Sequence, residues 1–158
     1  MTKVKLDKID RKILNDLQEN GRMTNVELAE RAGISAPPCL RRVRALEDAG
    51  IIKGYHAKLN SNALGYGIAV YAQIGLNRQS ENDLKSFEML CQEWDQVREC
   101  HLVSGEFDFF LKIVAKDWDA YQRFLTEHLT AVPNIGHIKS SLGIRSTKLK
   151  PGVPIQID

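Results

Sequence analysis

The stretch that decides the fold is residues 35–53, SAPPCLRRVRALEDAGIIK. Its apolar residues recur at helical spacing, which predicts one short helix with a single buried face. That face is predicted to consist of Ala36, Cys39, Leu40, Val43 and Leu46. Arg41, Arg42 and Arg44 fall on the other side. The outward face of the helix is therefore expected to be basic.

Two prolines lie in the first turn of this helix. Pro37 and Pro38 break no intrahelical hydrogen bond there, because the first N–H groups of a helix have no partner within it. If Ser35 is the N-cap, its side chain would normally accept a hydrogen bond from the N–H of residue 37 or 38. Both residues are prolines, which have no N–H group. The Ser35 hydroxyl is therefore expected to remain available for another partner, such as a phosphate.

Two further helices are predicted upstream. Asp7 and Asp10 mark the start of the first, which ends before residue 21. Thr24 and Glu27 form a capping box that starts the second, and Gly33 can adopt the positive φ that closes it. Three helices with a glycine-bearing turn between the last two indicate a helix-turn-helix.

Residues 51–59 alternate in a way that predicts a strand, and residues 60–67 have the composition of a linker. We place the domain boundary between residues 62 and 63, which gives domains of residues 1–62 and 63–158. Beyond it, strands are predicted at residues 68–76, 97–104, 108–115 and 137–145, with helices capped by Ser80 and Asp117. This βαββαβ order predicts an antiparallel four-stranded sheet with both helices on one face, an α+β fold.

The other face of that sheet needs a cover. The first strand is apolar at Ile68, Val70 and Ile74, but Ala69 and Tyr71 on the alternate face are also largely apolar. A second copy of the chain is the simplest cover, so the sequence predicts a homodimer through the sheet.

The charge is uneven along the chain. Residues 1–60 hold 12 Lys and Arg against 8 Asp and Glu, whereas residues 61–158 hold 10 against 12. A basic first third is typical of a part that meets a polyanion, although scatter on a solvated surface would explain the charge equally well.

Composition limits the class of protein. No stretch is apolar enough for a membrane span or a signal peptide, so we expect a cytoplasmic protein. Cys39, Cys91 and Cys100 are odd in number and lack the spacing of metal ligands, so neither a disulfide framework nor a metal site is expected. No cofactor is expected either.

Three segments carry a resemblance that covers nearly the whole chain. They are LDKIDRKILNDLQENGR (residues 6–22), ELAERAGISAPPCLRRVRALEDAGIIKGY (27–55) and LVSGEFDFFLKI (102–113). The sequence resembles the leucine-responsive and asparagine-responsive regulators, the Lrp/AsnC family. The resemblance implies a winged helix-turn-helix that binds DNA and a βαββαβ domain that dimerises and binds small effectors, often amino acids. It further implies dimers that assemble into octamers, and regulation of genes of amino-acid metabolism.

By this resemblance, residues 35–53 contain the DNA recognition helix. Thr24 and Asn25, at the start of the second helix, are then placed for backbone phosphates. The recognition helix itself carries Ser35, Pro37, Pro38, Arg41, Arg42 and Arg44. Arg41 is the expected base reader, because arginine can bond guanine O6 and N7 together, with roughly 1 to 3 kcal/mol of discrimination. Pairing of Arg41 with Glu47 or Asp48 is the competing interpretation. A dimer would present two such helices to a roughly palindromic operator.

The segment between the second and third predicted strands is the candidate effector site. Gly105 and its neighbours can offer backbone N–H groups to a carboxylate, while Glu106 and Asp108 can attract an ammonium group. Ser104 completes the polar set, and Leu102 would form an apolar wall. A plain hairpin, in which the glycine serves only the turn, is the alternative.

Two other functions compete. A ferredoxin-like enzyme or allosteric subunit is one, but the four histidines are dispersed without a nucleophile or ligand pattern, so we expect no catalysis. An architectural DNA-binding protein without an effector is the other. The ratio of specific to nonspecific affinity at fixed salt distinguishes it from a regulator.

Overall fold

The computed structural model describes residues 5–157, which form two compact units. The first unit contains the chain up to Lys58 and also the tail from Lys148 onward, and the second is Leu59–Thr147. This division differs from the expected domains of 1–62 and 63–158 chiefly because the tail packs with the first unit. No helix of the described residues has the length and apolar content needed to cross a membrane.

The first unit is built on three helices, α1 (Lys8–Glu19), α2 (Asn25–Ala32) and α3 (Ala36–Asp48). The Asp7 side chain accepts a hydrogen bond from the N–H of Asp10 at 2.8 Å, and Thr24 caps α2 in the same way, so both predicted helix starts are confirmed. The core of this unit consists of Ile13, Leu28, Ala29, Ala32, Cys39 and Leu46.

Two expectations for this unit are wrong. Leu40 is 39% exposed and does not belong to the buried face of α3, which instead follows Ala36, Cys39, Val43 and Leu46. Residues 51–59 form no strand. A strand needs a neighbour to satisfy its backbone, and none pairs with this segment in the described chain. Tyr55 holds it instead, because its hydroxyl donates a hydrogen bond to Glu47 at 2.9 Å.

The tail is attached to α1 through one side chain. The Gln18 amide donates to the carbonyl of Val153 at 3.0 Å and accepts from the N–H of Val153 at 3.2 Å. The tail itself has no helix or strand between Lys148 and Ile157. Its attachment to the first unit therefore depends on side chains rather than on a sheet.

The second unit confirms the predicted βαββαβ order. Its elements are β1 (Ile68–Leu76), α4 (Glu81–Glu93), β2 (Val97–Leu102), β3 (Phe109–Ala115), α5 (Trp118–Phe124) and β4 (Ile135–Leu142). A 3-10 turn at Asn62–Leu64 precedes β1, and a π-helical turn at Leu125–Leu129 continues α5. The strands lie in the order β2-β3-β1-β4, and all pairs are antiparallel. The predicted β2 extends two residues beyond the observed end of the strand. The predicted β4 begins two residues and ends three residues too far along the chain.

One face of the sheet forms the core of this unit. Val70, Ala72 and Ile74 of β1 are fully buried there beneath Phe87 of α4 and Tyr121 of α5. Burial of the Val70, Ile74 and Phe87 side chains contributes about 1.5 to 3 kcal/mol each. Both helices therefore cover the same face, as predicted.

The opposite face mixes aromatic and polar groups. Tyr71 and Phe110 stack with their ring centres 5.9 Å apart, and both are half-buried. Gln73 and Lys112 lie on the same face, since they alternate with the buried residues of β1 and β3. Dimerisation through this face stays a prediction.

Candidate nucleic-acid interface and effector loop

The turn between α2 and α3 has the geometry of a helix-turn-helix. Gly33 closes α2 with φ +75°, a left-handed conformation that favours glycine, and its N–H bonds back to Ala29 and Glu30. Ser35 follows in extended backbone as the N-cap of α3, and its side chain makes no capping hydrogen bond. The prediction that the prolines leave this hydroxyl without its usual partner is confirmed.

Arg41 and Arg44 are exposed on α3. Neither guanidinium forms an ion pair with any of residues 5–157. Of the two competing partners of Arg41, Glu47 accepts the Tyr55 hydroxyl instead, and Asp48 forms no ion pair with Arg41 in the described chain. Both arginines are therefore available to an external anion.

Arg42 is placed differently from what the sequence suggested. Its Nη1 lies 2.7 Å from a carboxylate oxygen of Asp7 and 2.7 Å from one of Asp10. These hydrogen bonds raise the pKa of Arg42, with the bond to Asp10 contributing most. Arg42 thus joins α3 to the start of α1, and its expected contact with DNA competes with two carboxylates that already hold it.

Thr24 and Asn25 also have internal partners. The Thr24 hydroxyl donates to Glu27 at 2.8 Å, and the Asn25 amide donates to the carbonyl of Ala36 at 2.9 Å. The buried Oδ1 of Asn25 has no hydrogen-bond partner among residues 5–157, but an oxygen acceptor cannot bond a phosphate oxygen. What this corner offers to a phosphate is the free N–H groups at the start of α2.

The effector loop runs from the end of β2 at Leu102 to the start of β3. Ser104, Gly105 and Glu106 are exposed, and Gly105 has φ +140°, which strains any other residue. Leu102 is 53% exposed, so it is an open apolar surface rather than an enclosed wall. The loop therefore presents its backbone and one carboxylate to solvent.

Asp108 has a structural partner that the sequence did not reveal. Its Oδ2 accepts a hydrogen bond from the N–H of Leu76 at 2.7 Å, where β1 and β4 shift register. Its own N–H donates to the carbonyl of Ile74 at 2.9 Å. No local signal could have found this contact, because it joins residues 32 positions apart.

A separate cleft of about 390 Å³ opens beside β4. Its walls are Leu125, Thr130, Ile135, Gly136, His137, Ile138 and Ser140. The five predicted effector residues do not line it, so the loop and the cleft are distinct features of the second unit.

Two parts of the chain match family models. Residues 6–53 match winged helix-turn-helix DNA-binding domains, and residues 69–153 match the Lrp/AsnC ligand binding domain. The chain belongs to the Lrp/AsnC family. As a member, it is a DNA-binding transcriptional regulator whose second domain is an effector domain. The family is one of transcriptional regulators, which argues against a catalytic function.

Relatives of this Lrp/AsnC regulator match it along most of their length. A leucine-responsive regulatory protein of Rhizobium meliloti is 52% identical over 148 residues, or 94% of this chain and 95% of the relative. The leucine-responsive regulatory protein of Escherichia coli K12 is 43% identical over 143 residues, or 90% of this chain and 87% of that protein.

Solved structures of the family agree with the fold. A transcriptional regulator of Neisseria meningitidis, determined as a complex with L-Met, superposes with a TM-score of 0.90 at 35% identity and covers 95% of this chain and 97% of its own. AsnC of E. coli superposes with a TM-score of 0.81 at 27% identity, over 93% and 99% of the two chains. The Lrp/AsnC architecture is therefore present in both units.

Proposed function

We propose that this Lrp/AsnC regulator reads a roughly palindromic operator through α3, with Arg41 on base edges and Arg44 and Ser35 on phosphates. The availability of Arg41 and Arg44 carries this proposal, because both are exposed whereas Arg42 is bound by Asp7 and Asp10. Pro37 and Pro38 contribute by keeping the Ser35 hydroxyl uncapped. The N-terminal N–H groups of α2, after Thr24 and at Asn25, add a second phosphate contact.

Binding to an operator selected from a random pool by the native protein tests these roles. Arg41→Ala should lower the ratio of specific to nonspecific affinity by about tenfold or more, as expected when one bidentate base pairing is removed. Arg44→Ala should weaken binding to both DNAs and reduce the slope of log affinity against log salt by roughly 0.9 for each phosphate that the arginine neutralised.

Arg42→Ala is the matched control on the same helix. It should keep the sequence preference, because its guanidinium faces carboxylates of α1. An unchanged specificity ratio in the Arg41 variant would overturn the assignment of the base reader. Equal affinity of the native protein for all DNA would favour an architectural role.

We also propose that the loop from Leu102 to Asp108 binds a free amino acid. The backbone around Gly105 would bond the carboxylate, Ser104 would add a hydroxyl, and Glu106 would attract the ammonium group. The ligand-binding domain match and the L-Met complex of the N. meningitidis relative support an amino acid as the ligand. Genes of amino-acid metabolism are the corresponding targets.

Calorimetric titration of the full chain with each amino acid tests the loop. At least one should give a saturable heat, and Glu106→Gln should weaken it while Glu93→Gln, on α4, should not. Absence of heat from every amino acid would exclude them as ligands.

The exposed loop also suggests that a second copy completes the site. We propose a homodimer, formed through the sheet face that contains Tyr71 and Phe110, which assembles further into an octamer. Sedimentation with and without the effector tests this, since a ligand shifts assembly only if it binds two states unequally. A monomer at every concentration would contradict it.

A further inference from the structure

Two of the three cysteines meet inside the second unit. Cys91 lies on α4 and is 4% exposed, while Cys100 lies on β2 and is half-buried. Cys100 pairs across the sheet with Leu111, which is fully buried under the helices, so the side chain of Cys100 also faces them. Both cysteines pack in the same apolar core, in which α4 lies against β2.

The two thiols are not equivalent. The neighbouring Cys91 thiol lowers the pKa of Cys100, although burial and the nearby Glu88 carboxylate oppose this. The neighbouring Cys100, together with burial and Glu88, raises the pKa of Cys91. Cys100 is the more accessible of the two thiols, whereas Cys91 is almost fully buried. A reactive cysteine beside a protected second cysteine is the arrangement in which a disulfide follows oxidation of the first.

We propose that Cys91 and Cys100 are a reversible oxidation site, which a peroxide converts into an intramolecular disulfide between α4 and β2. The Cys100 thiolate attacks one peroxide oxygen, the O–O bond breaks, and Cys100 becomes a sulfenic acid. The sulfur of Cys91 then attacks the sulfur of Cys100, the S–O bond breaks, and water leaves with the thiol proton. In total, two thiols and one hydrogen peroxide give one disulfide and two waters.

The position of Cys100 connects this chemistry to the effector loop. Cys100 lies two residues before Leu102, where β2 ends and the loop begins. The disulfide would fix that end of the strand to α4 by a covalent bond. Cys39 provides an internal reference, because it is fully buried in the first unit and has no second cysteine in its core.

Peptide mapping of the full chain tests the proposal directly. Trypsin places the three cysteines on separate peptides, residues 32–41, 86–98 and 99–112. After hydrogen peroxide treatment of the folded protein, denaturation and alkylation, peptides 86–98 and 99–112 should appear joined and lighter by two hydrogens. Dithiothreitol should separate them, and Cys39 should be found alkylated. Recovery of both peptides as separate alkylated or sulfinic forms would overturn the proposal.

Single variants assign the order of the two steps. Cys91→Ser should allow dimedone to trap Cys100 as a sulfenic acid, and Cys91→Ala repeats the test without placing a hydroxyl in the core. Cys100→Ser should slow oxidation of Cys91 by about tenfold or more, since Cys91 is only 4% exposed and burial raises the pKa of its thiol. Oxidation of Cys91 at the native rate in that variant would contradict the role of Cys100.

Discussion

At the scale of single residues, Asp108 serves both the fold and the proposed effector site. Its Oδ2 accepts a hydrogen bond from the N–H of Leu76, a residue that is 6% exposed. Its negative charge would also add to that of the exposed Glu106 in attracting the proposed ammonium group. A substitution can separate these requirements, because only one of them needs the charge.

Asp108→Ala should destabilise the second unit by about 1 to 3 kcal/mol, since it leaves a buried N–H without a partner. Asp108→Asn keeps an acceptor oxygen and should retain most of the stability while weakening amino-acid binding. Chemical denaturation gives the first effect, and calorimetry gives the second. If the Asp108→Asn and Asp108→Ala variants were equally unstable, loss of the hydrogen bond to Leu76 would not be the cause of the destabilisation.

At the scale of elements, Arg42 connects α1 to α3 through Asp7 and Asp10. The N–H of Asp10, and then the Arg42 guanidinium, lower the pKa of Asp7 below its ordinary 3.8. Because the pKa of Asp7 is lower in the folded state than in the unfolded state, the resulting stabilisation is fully present at pH values above the ordinary pKa. It is lost as pH falls through the folded-state value.

We therefore expect Arg42→Ala to lower the unfolding free energy near neutral pH, because the carboxylates of Asp7 and Asp10 both lose their cationic partner. Its acid destabilisation below about pH 4 should be smaller than that of the native protein. Urea denaturation at pH 7 and pH 3 measures both. Arg11→Ala, on α1, is the control, and an equal acid sensitivity of all three proteins would exclude the ion pair as the source.

The elements also show which features a sequence can predict. The caps at Asp7, Thr24 and Ser80 were predictable because each joins residues three positions apart. The uncapped Ser35 was predictable because it depends on the covalent structure of proline. A strand over residues 51–59 was wrongly predicted, since alternation does not supply a pairing partner.

Interactions between distant positions account for most of what the sequence missed. Arg42 looked like a DNA ligand because its helix is basic, and only the packing of α3 on α1 brings it to two carboxylates. The Asp108 bond to Leu76 requires the register of β1 and β3. For the candidate site, the residue types and the exposed loop were predictable, but the internal partners were not.

At the scale of the whole molecule, the first unit combines the chain up to Lys58 with the tail from Lys148 onward. Two hydrogen bonds between Gln18 and Val153 attach the tail to α1. Gln18→Ala should remove both, with an expected destabilisation of about 1 to 2 kcal/mol for two exposed bonds. Hydrogen exchange of the tail should become faster.

Gln18→Glu is the matched control, because it can accept from the N–H of Val153 but cannot donate to its carbonyl. Its effect should lie between those of the native protein and the alanine variant. Exchange mass spectrometry on peptides from residues 148–157 measures the difference. An unchanged exchange rate in Gln18→Ala would show that other interactions hold the tail.

The attachment of the tail also sets an order in which the protein is completed during synthesis. A ribosome makes α1, α2 and α3 first, then the whole of the ligand-binding unit, and only afterwards Val153. Until that point Gln18 lacks both of its hydrogen bonds to Val153. The DNA-binding unit thus reaches its final set of interactions only in a chain whose translation has passed through the effector domain.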